Sequence, residues 1–316
     1  MLTVSVASVG TPAFPSLAVY LVCIAAAAFA GGSSVAFLSL GHRTMQVLLS
    51  LTGGVLLGVG LLHLLPHAHV ELGGNIETTM GWVLAGFFLM FLLERAFHGH
   101  SHHTADGEHE CGHGHAHCDP HAEHRPADHA HPGPGQPASP AGPGRWAWCG
   151  AFAGLALHSL ADGAALAASV RADAEHGGGL LAGFAAFLAI LLHKPFDSGI
   201  IAALMIGAGA SPRLRLVVNL AYAAIVPLGA IGLLTTLQLL GPRQDVVLGI
   251  AMAMAAGAFL CIAAADLLPE VQFHSHDRVL LTASLALGLA IAWGITVLER
   301  NSHAHAAHGG AAQHHH

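Results

Sequence analysis

The sequence predicts an all-α integral membrane protein with about eight transmembrane helices. The chain has 316 residues, of which 54% are hydrophobic and only 9% are charged, and its mean hydropathy is +0.61. Soluble domains carry about 25% charged residues, so this composition indicates a protein of the lipid bilayer. The apolar residues also fall into runs of roughly 18 to 25, which as helices are long enough to cross a hydrocarbon core of about 30 Å.

Short connections separate these runs except at one place, where residues 98–144 form a long polar segment. We therefore predict four parts: spans one to three in residues 1–97, a disordered loop at 98–144, spans four to eight in residues 145–300, and a disordered His-rich tail at 301–316. The individual spans are predicted at residues 16–40, 46–65, 80–97, 146–170, 180–206, 212–236, 245–268 and 278–299.

The arginines predict the orientation of the spans, because cytoplasmic loops retain Lys and Arg preferentially. One set of alternate loops contains seven arginines and the opposite set contains three. We therefore expect both termini outside and residues 98–144 in the cytoplasm. The membrane that we expect is the inner (plasma) membrane of a bacterial cell. The seven are Arg43, Arg95, Arg125, Arg145, Arg213, Arg215 and Arg278, and the three are Arg171, Arg243 and Arg300.

Two stretches place a His and an Asp four residues apart inside predicted spans. His158 and Asp162 lie in the fourth span, and His193 and Asp197 lie in the fifth. A spacing of four puts each pair on one helix face, so two such helices that face each other bring two imidazoles and two carboxylates together. Each ionisable side chain inside a span costs about 2.5 to 3.5 kcal/mol on insertion scales, and a bound divalent transition metal would compensate that cost. The alternative is structural: histidines bonded to carbonyl groups and carboxylates paired with a basic neighbour.

Lys194 and Ser159 directly follow the two histidines. The ammonium group of Lys194 can project beside the same centre, where it would take the space and charge of a second metal and leave a site for one ion. It can also pair with Asp162 or Asp197, and the two roles are compatible. The hydroxyl of Ser159 is at best a weak metal ligand.

A second pair of motifs lies near the ends of the second and seventh predicted spans. His63 and His67 flank Leu-Leu-Pro in the second span, and Asp266 and Glu270 flank the same three residues in the seventh. Weak similarity between corresponding spans is typical of transporters built from inverted repeats. The pattern predicts a 3+2+3 arrangement, with these four side chains as entrance or exit ligands. Helix capping and interfacial placement are the structural alternatives.

The polar segment at 98–144 is rich in metal ligands. It contains twelve of the 27 histidines, followed by a Pro/Gly-rich stretch. Such a composition cannot bury a core, but it can capture and buffer metal ions. The densest group of ligands consists of Cys111, His113, His115, His117 and Cys118.

Together, these motifs resemble the ZIP family of zinc and iron transporters. The run from His158 to Gly163 is similar to the fourth-span signature of that family, and the run from His193 to Asp197 is similar to its fifth-span signature. The segments 63–66 and 266–270 look like its pathway motifs in the second and seventh spans. The resemblance implies broken fourth and fifth helices around the metal, two bundles that move as an elevator, and flow into the cytoplasm.

The chain departs from the family pattern at three positions. Members with a two-metal centre have Asn after the fourth-span His, an acidic residue after the fifth-span His, and Glu before the sixth-span Pro. Here these positions are Ser159, Lys194 and Val226. Each change removes a ligand of the second metal, so the resemblance implies one transported ion bound by the two His/Asp pairs.

The expected substrate is a divalent metal ion, with Zn²⁺ first and Fe²⁺, Mn²⁺ or Cd²⁺ also compatible with mixed His and Asp ligands. We expect no resident cofactor, no enzymatic activity and no nucleic-acid partner; the expected partners are the lipid bilayer and a second copy of the chain as a homodimer. Three alternatives remain at this point. A cation diffusion facilitator would export metal but has about six spans and a soluble C-terminal domain. An intramembrane zinc hydrolase would use the same ligands with an activated water, and a sensor would bind metal without flux.

Overall fold

The computed structural model describes residues 13–35, 41–98, 147–175, 181–273 and 278–311, and the regular elements in these ranges are helical. Eight helical stretches are long and apolar enough to cross a membrane, which confirms the predicted fold class. Single helices form six of the spans, and two spans consist of two helices each. The helices are α1 (Ala13–Ser34), α2 (His42–Val59) and α3 (Leu65–Glu71) in the second span, α4 (Ile76–His98), α5 (Ala147–Glu175), α6 (Phe184–Gly207), α7 (Pro212–Ala223) and α8 (Ile225–Leu240) in the sixth span, α9 (Gln244–Phe273), and α10 (Arg278–Ala311).

The interrupted spans are the second and the sixth. A π-helical turn at Gly60–Leu64 separates α2 from α3, just before Pro66, and Ala224 separates α7 from α8, just before Pro227. Proline lacks the N–H that would continue the helical ladder, so a local change of helix type is expected next to it. The expectation of broken fourth and fifth helices is wrong for these residues. Helix α6 runs through Pro195 without interruption, because one missing donor costs a single hydrogen bond in an otherwise regular helix.

Four pairs of spans, each running in the same direction across the bundle, make the most extensive contacts: the first with the fifth, the second with the eighth, the third with the seventh, and the fourth with the sixth. Exchanging the first three spans for the last three, and the fourth for the fifth, maps each of these pairs onto another one. The contact pattern therefore has the symmetry of the predicted 3+2+3 inverted repeat. We call spans two, three, seven and eight the first bundle, and spans one, four, five and six the second bundle.

Glycines allow the paired spans to approach closely. A Cβ atom on Gly86 of the third span would collide with the backbone of Met254 in the seventh, and one on Gly163 of the fourth span would collide with the carbonyl oxygen of Val226 in the sixth. Small residues at helix interfaces are typical of membrane bundles, where close backbone packing replaces the hydrophobic effect as the attraction between helices.

Because each span crosses once, the ends of the spans alternate between two faces. We call the face where the third span ends and the fourth begins the loop face. The opposite face, where the first span begins and the eighth ends, is the terminal face. Residues 99–146 lie outside the described residues, and with them lie Cys111, His113, His115, His117 and Cys118.

Several spans differ in length from the prediction. The second extends to Glu71 instead of ending at residue 65, so His63 and His67 lie within helical structure and not at its end. The fourth extends to Glu175 instead of ending at residue 170. In both cases polar residues continue the helix beyond the apolar run, and one from each extension, His67 and Asp173, contacts the other between the two spans. Helix α10 continues to Ala311, into the segment that the sequence predicts as a tail.

Candidate metal centre

Four side chains converge near the middle of the bundle, and we call them the central cluster: His158, Asp162, His193 and Asp197. One ligand atom from each lies within 4.8 Å of the others. Oδ2 of Asp162 is 3.2 Å from Nε2 of both histidines, and Oδ2 of Asp197 is 3.8 and 3.9 Å from the same two nitrogens. The convergence agrees with the spacing of four in each span; that these atoms bind a metal stays a prediction.

Local structure orients His193 for a ligand. Its Nδ1 atom lies 2.8 Å from the carbonyl oxygen of Ala189, one turn earlier in the same helix. A carbonyl accepts and cannot donate, so Nδ1 carries the proton, and in the neutral ring Nε2, 3.2 Å from Oδ2 of Asp162, is the nitrogen left to bind a cation. Outer contacts of this kind fix the tautomer of metal-binding histidines.

His158 has no comparable support. It is buried, and neither ring nitrogen has a hydrogen-bond partner in the part of the chain that the structure describes. Buried polar atoms without a partner are uncommon because desolvation costs about 1 to 3 kcal/mol. An imidazole nitrogen directed at two carboxylates suits a cation between them, and this is the donor set that Zn²⁺ accepts.

Lys194 is fully buried beside the cluster. Its ammonium group contacts Oδ2 of Asp162 and lies 2.8 Å from Oδ2 of Asp197. Two carboxylates buried in the membrane need compensating charge, and this side chain supplies one positive charge to both.

Tyr222 is a buried residue at the site that the sequence analysis missed. Its hydroxyl accepts a hydrogen bond of 2.9 Å from Ser159 and donates one of 3.2 Å to Oδ2 of Asp197. It therefore connects the fourth, fifth and sixth spans at the central cluster. The only sequence signal was its rarity, since the chain has two tyrosines and this one lies in an apolar span.

A second group of ligands, the terminal cluster, consists of His63, His67 and Asp173 near the terminal face. One ligand atom from each lies within 4.8 Å of the others. The histidines come from the second span, as the sequence analysis identified. Asp173 was missed, because the predicted fourth span ended at residue 170. The side chains of Asp266 and Glu270 lie outside the described residues, although their backbone belongs to α9.

A cavity of about 680 Å³ reaches the central cluster from the loop face. His158, His193 and Asp197 line its deep end, and Glu94 and Arg95, at the end of the third span, line its mouth. Toward the terminal face the bundle is closed by fully buried apolar side chains, and beyond them lies the terminal cluster. The closing side chains include Leu166 and Ile190. The structure therefore has the central cluster open to the loop face.

Comparison with known proteins bears on this arrangement. The profile of the family described as ZIP zinc transporter matches residues 15–299, nearly the whole chain. The chain belongs to the ZIP family. Its relatives include the mouse zinc transporter ZIP1, 28% identical over 285 residues, and the human zinc transporter ZIP1, 30% identical over 281 residues. Each alignment covers 82% of this chain and 80% of the relative. The rat zinc transporter ZIP4 is 30% identical over 297 residues, which are 81% of this chain and 43% of that protein.

Membership in the ZIP family confirms the resemblance found in the sequence and identifies an integral membrane protein of metal transport. The chain is therefore not a cation diffusion facilitator, which was one of the three alternatives.

Proposed function

We propose that this ZIP protein moves one divalent metal ion at a time, with Zn²⁺ first, into the cytoplasm through the central cluster. The observation that supports the proposal most directly is the convergence of two imidazoles and two carboxylates, of which His158, His193 and Asp197 line a cavity. Ionisable groups are costly at this depth, and a transported cation accounts for all four together.

The ligands replace the water shell of the ion. A hydrated M²⁺ exchanges waters for Nε2 of His158 and His193 and for one oxygen each of Asp162 and Asp197. The histidines are neutral donors and the two aspartates balance the double charge of the ion, so the ammonium of Lys194 leaves one positive charge in excess while the ion is bound. The set also accepts Fe²⁺, Mn²⁺ and Cd²⁺, because mixed nitrogen and oxygen donors do not select one metal by themselves.

Lys194 makes the binding reversible in this mechanism. Its ammonium repels the bound ion and so weakens binding, since like charges at short range in a buried site interact strongly. When the ion leaves, the ammonium pairs with Asp162 and Asp197, and neither carboxylate stays buried without a partner. Lys194 thereby takes the place of a second metal.

Direction follows from the orientation that the arginines predict. If the loop face is cytoplasmic, the cavity is an exit, and residues 98–144 with their histidines receive the ion. Asp266 and Glu270 then belong to the exit side, and His63 and His67 belong to the entrance side. We place the protein in a bacterial inner membrane with both termini outside, and alternating access between its two bundles completes the cycle.

The test is flux of Zn²⁺ and Fe²⁺ into proteoliposomes with the purified full chain, compared with Asp197→Ala and with a form lacking residues 100–140. We expect saturable flux that is lost in Asp197→Ala and kept without the loop. Asp245→Ala, at an exposed carboxylate of the terminal face, is the matched control and should transport normally. Metal binding without flux for either ion would contradict the proposal and favour a sensor. Metal-dependent hydrolysis of an amide or lipid substrate, lost in His193→Ala, would favour the enzyme.

A further inference from the structure

The terminal cluster joins the two helical bundles. His63 and His67 belong to the second span, in the first bundle, whereas Asp173 belongs to the fourth span, in the second bundle. Nε2 of His63 lies 3.6 Å from Oδ2 of Asp173, and Nε2 of His67 lies 3.4 Å from Oδ1 of the same carboxylate. Any ligand held by all three side chains therefore ties the bundles together on the terminal face.

The donor atoms suit a divalent metal. Two imidazole nitrogens and a carboxylate are the ligands of many zinc sites, which complete the coordination with water. His63 and Asp173 are each 2% exposed, while the side chain of His67 is 24% exposed. An ion from solvent can thus reach His67 first and exchange its waters for the two buried ligands.

Contacts around the cluster orient the ligands. Oε2 of Glu299, at the end of the eighth span, lies 2.9 Å from Nδ1 of His63. A carboxylate on Nδ1 leaves Nε2 available for metal, which is the outer-shell arrangement of zinc-binding histidines. Asp173 in turn accepts a hydrogen bond of 2.7 Å from the backbone N–H of Gly183. Nε2 of His63 is hydrogen-bonded to the hydroxyl of Ser169 at 2.9 Å. A metal on Nε2 of His63 would displace the contact with Ser169.

We propose that His63, His67 and Asp173 form a second divalent-metal site, distinct from the transported ion's site, at which metal from the terminal side inhibits transport. The site is complete only while the terminal face is closed, because movement of one bundle against the other separates Asp173 from the histidines. Bound metal therefore stabilises the state open to the loop face and delays the return step. This inference rests on the proposed function only for the inhibition; binding at the terminal cluster does not require it.

Thermal unfolding of the full chain in detergent tests the site, with Zn²⁺ alone as the probe. Histidines that bind Zn²⁺ equally in the folded and the unfolded chain contribute nothing to a shift in unfolding temperature. Asp197→Asn removes a ligand of the central cluster, so that Zn²⁺ binding at the terminal cluster can be measured by itself. His158→Gln is a second variant that does the same. We expect Zn²⁺ still to raise the unfolding temperature of Asp197→Asn, and we expect His67→Gln in that background to abolish the remaining shift. His69→Gln, at a half-buried histidine near Thr79 of the third span, is the matched control and should keep it.

Flux at increasing external Zn²⁺ tests the inhibition. Wild-type flux should pass through a maximum and then fall as external Zn²⁺ rises, whereas flux of His67→Gln should show no fall at high Zn²⁺, whatever its level at low Zn²⁺. The second site would be overturned if Zn²⁺ did not raise the unfolding temperature of Asp197→Asn, or if it still did so after His67→Gln was added. The inhibition would be overturned by identical flux curves for wild type and His67→Gln. If the central cluster does not bind metal, Zn²⁺ will raise the unfolding temperature of wild type and of Asp197→Asn equally, and neither protein will transport the ion. That result would contradict the proposed function but not the second site.

Discussion

The central cluster takes its four ligands from the fourth and fifth spans, within one bundle, whereas the terminal cluster takes its three ligands from spans of both bundles. The central cluster also contains a buried ammonium group, that of Lys194, which contacts two of its carboxylates. At the terminal cluster the neighbouring ionisable group is a carboxylate, that of Glu299.

This difference separates a site that can move from a site that cannot. In the alternating access proposed above, ligands on one bundle would keep their geometry, so the central cluster could carry an ion from one face to the other. Ligands on both bundles would part in the same movement, so the terminal cluster would hold an ion in one state only. On the same proposals, Lys194 would favour release of the ion, and Glu299 would favour its retention by orienting His63.

Asp162→Asn should have the largest effect on flux. Asp162 is the carboxylate nearest to both histidines and to Lys194, so its loss removes a ligand and half of the compensation for the lysine. We expect flux at low Zn²⁺ to fall by at least about 100-fold, beyond the usual effect of an outer-shell change. Proteoliposome uptake measures this, with Asp245→Asn as the control. Near-normal flux would show that the ion passes elsewhere.

Lys194→Met should separate stability from affinity. Removing one partner from a buried ionic group costs about 3 to 5 kcal/mol, because the other charges stay buried without compensation. We expect a less stable protein without metal and a larger stabilisation by Zn²⁺, since the competing cation is gone. Thermal unfolding with and without Zn²⁺ measures both effects. Unchanged stability without metal would mean that Lys194 does not compensate the aspartates.

Glu299→Gln should weaken the terminal cluster and leave the central one intact. The amide cannot stabilise the Nδ1–H of His63 as a carboxylate does, and loss of such an outer contact lowers metal affinity by about 10- to 100-fold. In the Asp197→Asn background, the Zn²⁺ needed for half of the thermal shift should rise accordingly. An unaltered Zn²⁺ dependence would remove Glu299 from the description of that site.

Tyr222→Phe should have the smallest effect of the four. It removes the hydroxyl that donates to Asp197 and accepts from Ser159, and a hydrogen bond to a charged group contributes about 1.5 to 3 kcal/mol at most. We expect a KM for Zn²⁺ raised by about 10-fold, the lower end of this range, because Asp197 keeps its contact with Lys194, with maximum flux unchanged. A fall in maximum flux with constant KM would indicate a role in bundle movement instead.

Local spacing explains why the central ligands could be read from the sequence. His158 and Asp162, like His193 and Asp197, lie one helical turn apart, so a helix prediction alone places each pair on a common face. Tyr222 and Asp173 had no such local signal. Tyr222 reaches Asp197 from another span, and Asp173 lies beyond the apolar run that defined the fourth span.

Helix continuity was the other point at which sequence reasoning failed. The family resemblance implied broken fourth and fifth helices, yet the fifth runs through Pro195, and the interruptions lie next to Pro66 and Pro227 in the second and sixth spans. A proline removes one donor wherever it stands, and the surrounding packing decides whether the helix changes type there or continues.

The sequence by itself determined the membrane-spanning class, the number of spans, the inverted repeat and the two His/Asp pairs, because hydrophobic length and a spacing of four depend only on helix geometry. The tertiary structure alone decided which spans pair, which face the central cluster opens to, and that Asp173 meets His63 and His67 across the bundle interface. Those contacts join residues that lie far apart in the sequence, and their geometry depends on how glycine-lined helices pack against one another, which no local pattern specifies.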